Sequence, residues 1–289
     1  MDFKKIEWIF FLAFLGVNIF LFNIYHATKN EEGNVSSTNQ KIDIVQRLEA
    51  DEISIKGELS SKVKEGYYLA AVPTNMADAV GSAKEKNGAA FNNGLNFSGE
   101  NQSQFIYTPS TNFYIKDSKE TKENVNSFLK DSSEVLFGQE YMYVPHESLT
   151  NPEYPEIICA QSFEGIPFYD DTSKMEIILE ENDGLLRVSR YMQTHLSAIE
   201  KLREKMALYS EKDAVNTLYI NNKLPAKSKI LWRQLSYVMI LQVRGKNVYV
   251  PAWLVAVETG KNNIQIETVN AFTNRIITNN TLQKVENTN

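Results

Sequence analysis

The chain has 289 residues, 43% of them hydrophobic and 23% charged, which is the composition of a folded protein long enough for one large or two ordinary domains. Its formal net charge of −6 argues against binding DNA, RNA or anionic wall polymers through bulk electrostatics. A single cysteine, Cys159, excludes an intramolecular disulfide, so an exported domain of this chain must be held by its own packing.

Residues 1–25, MDFKKIEWIFFLAFLGVNIFLFNIY, dominate the N-terminus. From Trp8 to Ile24 every residue is apolar or small except Asn18 and Asn23. At roughly 1.5 Å per residue a helix over this run covers about 25 Å. Extended to Ile6 and Tyr25, it approaches the roughly 30 Å of a hydrocarbon core. Trp8 and Tyr25 stand at the two ends, where amphipathic rings favour the headgroup level. Lys4 and Lys5 precede the run, so the positive-inside rule predicts a cytoplasmic tip over 1–5, a transmembrane anchor over 6–25 and everything later outside the cell. A cleaved signal peptide fits less well, because the apolar run is long and bulky Tyr25 occupies the exit where a small residue is wanted. At about 100° per residue Glu7, Asn18 and Tyr25 share one face. Polar residues at membrane depth usually face a partner helix, and Gly16 would permit close approach on another face. The plainer reading is that Asn18 is tolerated and Glu7 reaches the headgroups.

Residues 26–40, HATKNEEGNVSSTNQ, read as a flexible stalk. Ile42, Val45 and Leu48 recur at helical spacing, so 41–50 is predicted as a short amphipathic helix. Ile53 and Ile55 alternate as in a strand, and Gly66–Val72 is a second strand. The Asn- and Gly-rich stretch 75–104 reads as a long mobile loop with at most a turn of helix at 76–85. Strands are predicted at Phe105–Tyr107, Phe113–Ile115 and Glu140–Val144, and a helix at Glu120–Lys130. His146–Pro155 holds two prolines and reads as a boundary, giving a first α+β unit over 41–150.

The second unit, 151–289, opens with strands at Glu156–Gln161, Lys174–Glu181 and Leu185–Gln193, the last two joined by an Asn182-Asp183-Gly184 turn. Residues 195–221 are predicted as helix: Leu202, Met206 and Leu208 start the pattern, Ser210–Asp213 looks like a cap, and 214–220 supplies an apolar face. Strands at Ile230–Val243, Val248–Glu258 and Ile264–Ala271 follow, with hairpin turns at 244–247 and 259–263. The expected fold is therefore α+β: an N-terminal transmembrane helix, then an extracytoplasmic ectodomain of two helix-on-antiparallel-sheet subdomains ending in a meander. Asp43–Leu48 also resembles Asp213–Leu218, which either duplication or convergent amphipathic patterning explains.

Little in the chain suggests catalysis. His26, His146 and His195 show no metal-ligand spacing, and no Gly-x-Ser-x-Gly or phosphate-cradling loop occurs. Cys159 alternates with Ile157 and Gln161 in a predicted strand and reads as a buried thiol. Asp170 and Asp171 read as solvated turn carboxylates. No catalytic residue, metal ligand or cofactor is assigned.

Asp2-Phe-Lys-Lys-Ile-Glu-Trp-Ile9, running into Phe14-Leu-Gly-Val-Asn-Ile-Phe-Leu21, closely resembles the YycI (WalI) family. Gln161–Tyr169, the Gly184–Tyr191 strand and Val248–Trp253 resemble it too, whereas 75–104 does not match. The resemblance implies a non-enzymatic, single-pass membrane regulator of low-GC Gram-positive bacteria with an extracytoplasmic α+β domain. It implies association with a YycH-like membrane protein and with the sensor histidine kinase WalK (YycG), tuning the WalK/WalR system that controls cell-wall metabolism. On that view Glu7, Gly16 and Asn18 are the expected transmembrane partner contacts. Two other readings stay open: an anchored wall enzyme or chaperone with an acidic cleft around Asp170, Asp171 and Glu164, and a ligand-sensing ectodomain coupled to the kinase.

Overall fold

A computed structural model describes residues 8, 11, 13–22, 43–88, 91–92, 94–115, 120–150, 153–260, 263–278 and the backbone of 283–285. The chain divides into two compact units, Met1–Glu52 and Ile53–Asn289.

In the first unit, Trp8, Phe11 and residues 13–22 (α1) are helical. Apolar side chains stand exposed all round α1, among them Phe14, Val17, Phe20 and Leu21. A helix apolar on every face has no surface suited to water. The rest of the expected anchor, together with the tip 1–5 and the stalk 26–40, lies outside the described residues. Among the described residues no helix is long and apolar enough to cross a membrane. Helix α2 (Ile44–Ala50) starts where Asp43 accepts a hydrogen bond from the Val45 amide at 3.3 Å.

The second unit is built on two large sheets and a two-stranded one, in which Met206–Leu208 pairs with Lys64–Gly66. In chain order its elements are β1 (Ser54–Ile55), β2 (Lys64–Gly66), β3 (Leu69–Pro73), α3 (Met76–Lys86), β4 (Asn96–Ser98), β5 (Gln104–Tyr107), β6 (Tyr114–Ile115), α4 (Thr121–Leu129), β7 (Tyr141–Tyr143), β8 (Glu156–Phe163), β9 (Ile166–Pro167), β10 (Lys174–Asn182), β11 (Leu185–Thr194), β12 (Leu196–Lys201), β13 (Met206–Leu208), α5 (Glu211–Ile220), β14 (Lys229–Val243), β15 (Lys246–Glu258), β16 (Ile264–Asn270), β17 (Arg275–Ile277) and β18 (Gln283–Val285). One sheet runs β4-β5-β11-β10-β8-β7 and carries α3 and α4. The other runs β1-β14-β15-β16-β17, with β3 joining β15 to β12, and carries α5. Both hairpins that anchor these sheets turn on consecutive residues with positive φ, Asp183-Gly184 (52° and 75°) and Arg244-Gly245 (50° and 76°). Such turns match the right-handed twist of the strands they join.

Strand β15 is buried along nearly its whole length. Along one edge it pairs with β3 at Asn247–Tyr249 and then with β16 at Ala252–Glu258. Pro251, which has no amide hydrogen to give a ladder, falls in the gap between those two partners. The sheet under α3 and α4 is packed with aromatic rings: Phe91, Phe105, Tyr107, Phe128 and Tyr191 are all at most 2% exposed and touch edge-to-face or stacked. Below them Glu134, 4% exposed, accepts from the Tyr107 hydroxyl and from the Ser110 and Thr111 amides at 2.9–3.1 Å. Its charge is held by donors alone, as buried carboxylates require.

Three sequence expectations are corrected. Leu196–Lys201 and Met206–Leu208 are strands rather than helix: β12 pairs with β3 and β13 with β2, and Leu202 and Met206 are exposed instead of forming a core face. The helix waits until Glu211 because Ser210 and Asp213 form a reciprocal capping box there. Second, 75–104 is not a bare loop. Asn75 caps the three-turn helix α3, whose Met76 and Val80 enter the aromatic core with Phe91. Third, strands from either side of residue 150 share both sheets, with β5 on β11, β7 on β8 and β3 on β15. His146–Pro155 is a link between paired strands β7 and β8, not a seam between units. In the two similar stretches the matched acids take different places: Asp43 is a helix cap whereas Asp213 sits inside α5.

Candidate functional site

The chain passes from one sheet to the other at a single residue. Strand β11 ends at Thr194, β12 begins at Leu196, and His195 lies between them with its side chain 5% exposed. Around it a polar network closes. Thr74 Oγ1 lies 2.8 Å from His195 Nδ1, and Glu140 Oε2 lies 3.0 Å from Nε2. Because a carboxylate only accepts, the proton facing Glu140 is on Nε2. Phe137, at a left-handed φ of 53°, stacks on the imidazole with ring centroids 4.0 Å apart. Gln161, wholly buried, treats Leu196 as a strand partner would. Its Oε1 accepts from the Leu196 amide and its Nε2 donates to the Leu196 carbonyl, both at 2.8 Å, with a further bond to Glu140 at 2.9 Å.

The His195 hydrogen bond holds the Glu140 carboxyl below its ordinary value of 4.5, against the opposing effect of burial. A carboxyl depressed in the folded state contributes stability above its ordinary pKa and loses it as the pH falls through the folded value. Glu140→Gln is therefore expected to flatten the acid limb of the stability curve, with midpoints converging on the parent's below about pH 4. Denaturation midpoints measured across pH 2–7 check this; parallel acid limbs would refute it.

Beside this crossing, a cleft of 470 Å³ opens between β14 and the neighbouring sheet. Val144, Ile158, Ala160, Phe168 and Met239 make its apolar walls, and Glu147, Tyr169, Asp170, Asp171, Lys174 and Gln234 its polar ones. Two smaller cavities of 330 and 240 Å³ also border Asp171. Asp170 Oδ1 is committed locally, accepting from the Thr172 amide and the Thr172 and Ser173 hydroxyls. Burial raises Glu147, with Lys174 opposing, and pushes the Tyr169 phenol up to about 12, with Glu147 and Asp171 adding to the effect. Burial disfavours the Lys174 ammonium, but Glu176 at 2.7 Å, Asp171 and Glu147 outweigh it and hold its pKa above the ordinary value.

The sequence-predicted residues distribute unevenly. Asp170 and Asp171 do line a cleft, but Glu164 does not join them: it pairs with Lys201 at 2.7 Å and Lys205 at 3.5 Å elsewhere. His146 packs against Trp232 with the rings tilted by 37°, and its pKa is lowered by burial. Cys159 is buried in the aromatic core and its thiol pKa is pushed up accordingly. Among the described residues no group of three or more His, Cys, Asp or Glu could hold a metal ion. In α1, Asn18 Nδ2 donates to the Phe14 carbonyl one turn back at 2.9 Å, and a Cβ on Gly16 would meet nothing of this chain within 4 Å. Glu7 and His26 lie outside the described residues. Glu140, Gln161 and Thr74 were not singled out from sequence as site residues. Their partners stand 55, 35 and 121 positions away, so no local spacing announces them.

These features define an α+β protein with two large hydrogen-bonded sheets and a mixed polar and apolar cleft where they meet. Residues 31–272 match the YycI protein family, and the chain belongs to that family. The family is a regulatory one, associated with the WalK/WalR two-component system. No curated protein matches the chain significantly. Among solved structures, an uncharacterized protein from Eubacterium rectale is similar at 11% identity with a TM-score of 0.45, covering 79% of this chain and 91% of that one.

Proposed function

We propose that this protein is a non-enzymatic regulator anchored by a single membrane span over 6–25, with its N-terminus in the cytoplasm and its folded part outside. It binds a YycH-like membrane protein and a WalK-type sensor histidine kinase and tunes the kinase's signalling. The family match over 31–272 carries this reading. The apolar helix at 13–22, exposed on every side, supports the anchor. A regulator of this kind works only by binding one kinase state better than the other, and a preference of about 1.4 kcal/mol shifts the balance roughly tenfold.

The deciding experiment is membrane co-purification of the native chain against one whose residues 2–25 are replaced by an unrelated span. Kinase and YycH-like partner are expected with the native span only. Recovery with both chains would move recognition to the folded part; recovery with neither would remove the reading. Within the span, Asn18→Leu is expected to weaken a WalR-dependent reporter while insertion persists. The helix already satisfies the Asn18 amide nitrogen but leaves its oxygen for a neighbour. An unchanged reporter would reduce Asn18 to a tolerated residue.

A further inference from the structure

We propose that the 470 Å³ cleft receives a basic side chain, lysine or arginine, from an extended segment of a partner polypeptide. Glu147 and Asp171 take the charge, and Ile158, Ala160 and Met239 line the aliphatic stem. This goes beyond the membrane-span reading and does not depend on it.

The charge balance of the cleft comes first. Three carboxylates, Glu147, Asp170 and Asp171, line it against one ammonium, Lys174, whose single charge is shared among Glu176 at 2.7 Å, Asp171 and Glu147. Buried carboxylates normally recruit donors of their own, as Glu134 does elsewhere in this chain. Glu147, half-buried, leaves one oxygen without a donor: its Oε1 is shut off from solvent by this chain and takes no hydrogen bond. Its nearest cationic candidate, His146 Nε2 at 3.8 Å, is beyond hydrogen-bond reach and is itself disfavoured as a cation by burial. An acceptor left dry and unpaired costs free energy that an incoming N–H donor recovers.

The shape of the cavity then narrows the class of donor. The described residues offer no three-ligand arrangement for a metal ion, so the cation is organic. The cleft is walled by Val144, Ile158, Ala160 and Met239 beneath its polar rim, which suits a charge carried on a methylene stem. Its volume falls within the roughly 300–1,000 Å³ of ordinary ligand sites. Exposed Asp171 is shared with the two flanking cavities, so a chain running through that point has room for residues on either side of the basic one.

The test titrates the full chain in detergent with three blocked pentapeptides, Gly-Val-Lys-Val-Gly, its arginine analogue and its Nε-acetyl-lysine analogue, by calorimetry. The lysine or arginine peptide is expected to bind at least about tenfold more tightly than the acetylated one. Asp171→Asn and Glu147→Gln should each remove most of that difference, and Ala160→Phe, which fills the floor, should abolish binding of all three. Asp171 is exposed, so its variant keeps the fold and decides the matter even where Glu147→Gln fails to fold. Equal binding of charged and acetylated peptides, full affinity in Asp171→Asn, or no binding of either basic peptide at about 5 mM would overturn the proposal. Because no kinase is present, failure here leaves the regulator reading standing, and failure of the co-purification leaves this one.

Discussion

Gly138→Ala is expected to destabilise the folded unit by about 3 kcal/mol or more, or to prevent it from folding. A Cβ at this position would lie 1.9 Å from the Leu129 carbonyl oxygen and 2.9 Å from Val135 Cγ1. The first of these is backbone at the end of α4, so no rotamer change relieves it. Either α4 or the 3₁₀ turn at Gly138–Glu140 must move. That turn sets Phe137 against His195 and presents Glu140 to it, so the strain propagates into the sheet crossing. For a chain of this size each kcal/mol is worth about 2–4 °C in Tm, giving a fall of roughly 10 °C. Gly81→Ala is the control: a Cβ there meets nothing within 4 Å and the site is interior to α3, so a gain of about 0.5–1 kcal/mol is expected. Thermal melts of the two variants should move in opposite directions. A Gly138→Ala protein melting with the parent would mean the close approach is not maintained in solution.

How far the sequence disclosed this arrangement follows from the range of the forces concerned. Hairpin turns, the 41–50 helix and the β10–β11 pair were legible because their signals are local: consecutive turn residues, apolar residues at helical spacing, apolar residues every second position. The α+β character followed from the same signals. Residues 195–208 were misread because Leu202, Met206 and Leu208 mimic a helical stripe, whereas the ladder that β12 makes with β3 joins residues more than a hundred apart. The stretch 75–104 was misread for the opposite reason. Its many Asn residues suggest a loop, yet Asn75 acts as a helix cap and Met76, Val80, Phe91 and Phe97 tie the segment to the core. A cleft around Asp170 and Asp171 was open to the sequence as an alternative but with Glu164 as its third acid, because Glu147 and Met239 reach the pair only through the fold. The apparent boundary at 146–155 misled because prolines mark a turn in the chain without saying whether the strands they join separate or pair.

Gln161→Leu is expected to cost roughly 3–5 kcal/mol, because it orphans two buried backbone groups at once. At the crossing between sheets no neighbouring strand pairs with Leu196 on this side, and the Gln161 carboxamide supplies both halves of the missing ladder rung. Leucine matches its bulk but offers neither donor nor acceptor, so the Leu196 N–H and C=O stay buried and unpaired at about 1–3 kcal/mol each. Gln161→Glu separates this account from simple loss of packing. The introduced carboxylate still accepts from the Leu196 amide, but it cannot donate to the Leu196 carbonyl and stands where Gln161 now donates to Glu140 at 2.9 Å. Two carboxylates so placed raise the pKa of one of them, so this variant should be weakest at neutral pH and approach the parent as acid protonates the pair. Urea midpoints at pH 7 and pH 4 read the difference: the gap to the parent narrows on acidification for Gln161→Glu and stays constant for Gln161→Leu. A gap that is the same at both pH values in both variants would show that Gln161 fills space rather than completing the rung, and the hydrogen-bonded crossing would lose its claim to hold the two sheets together.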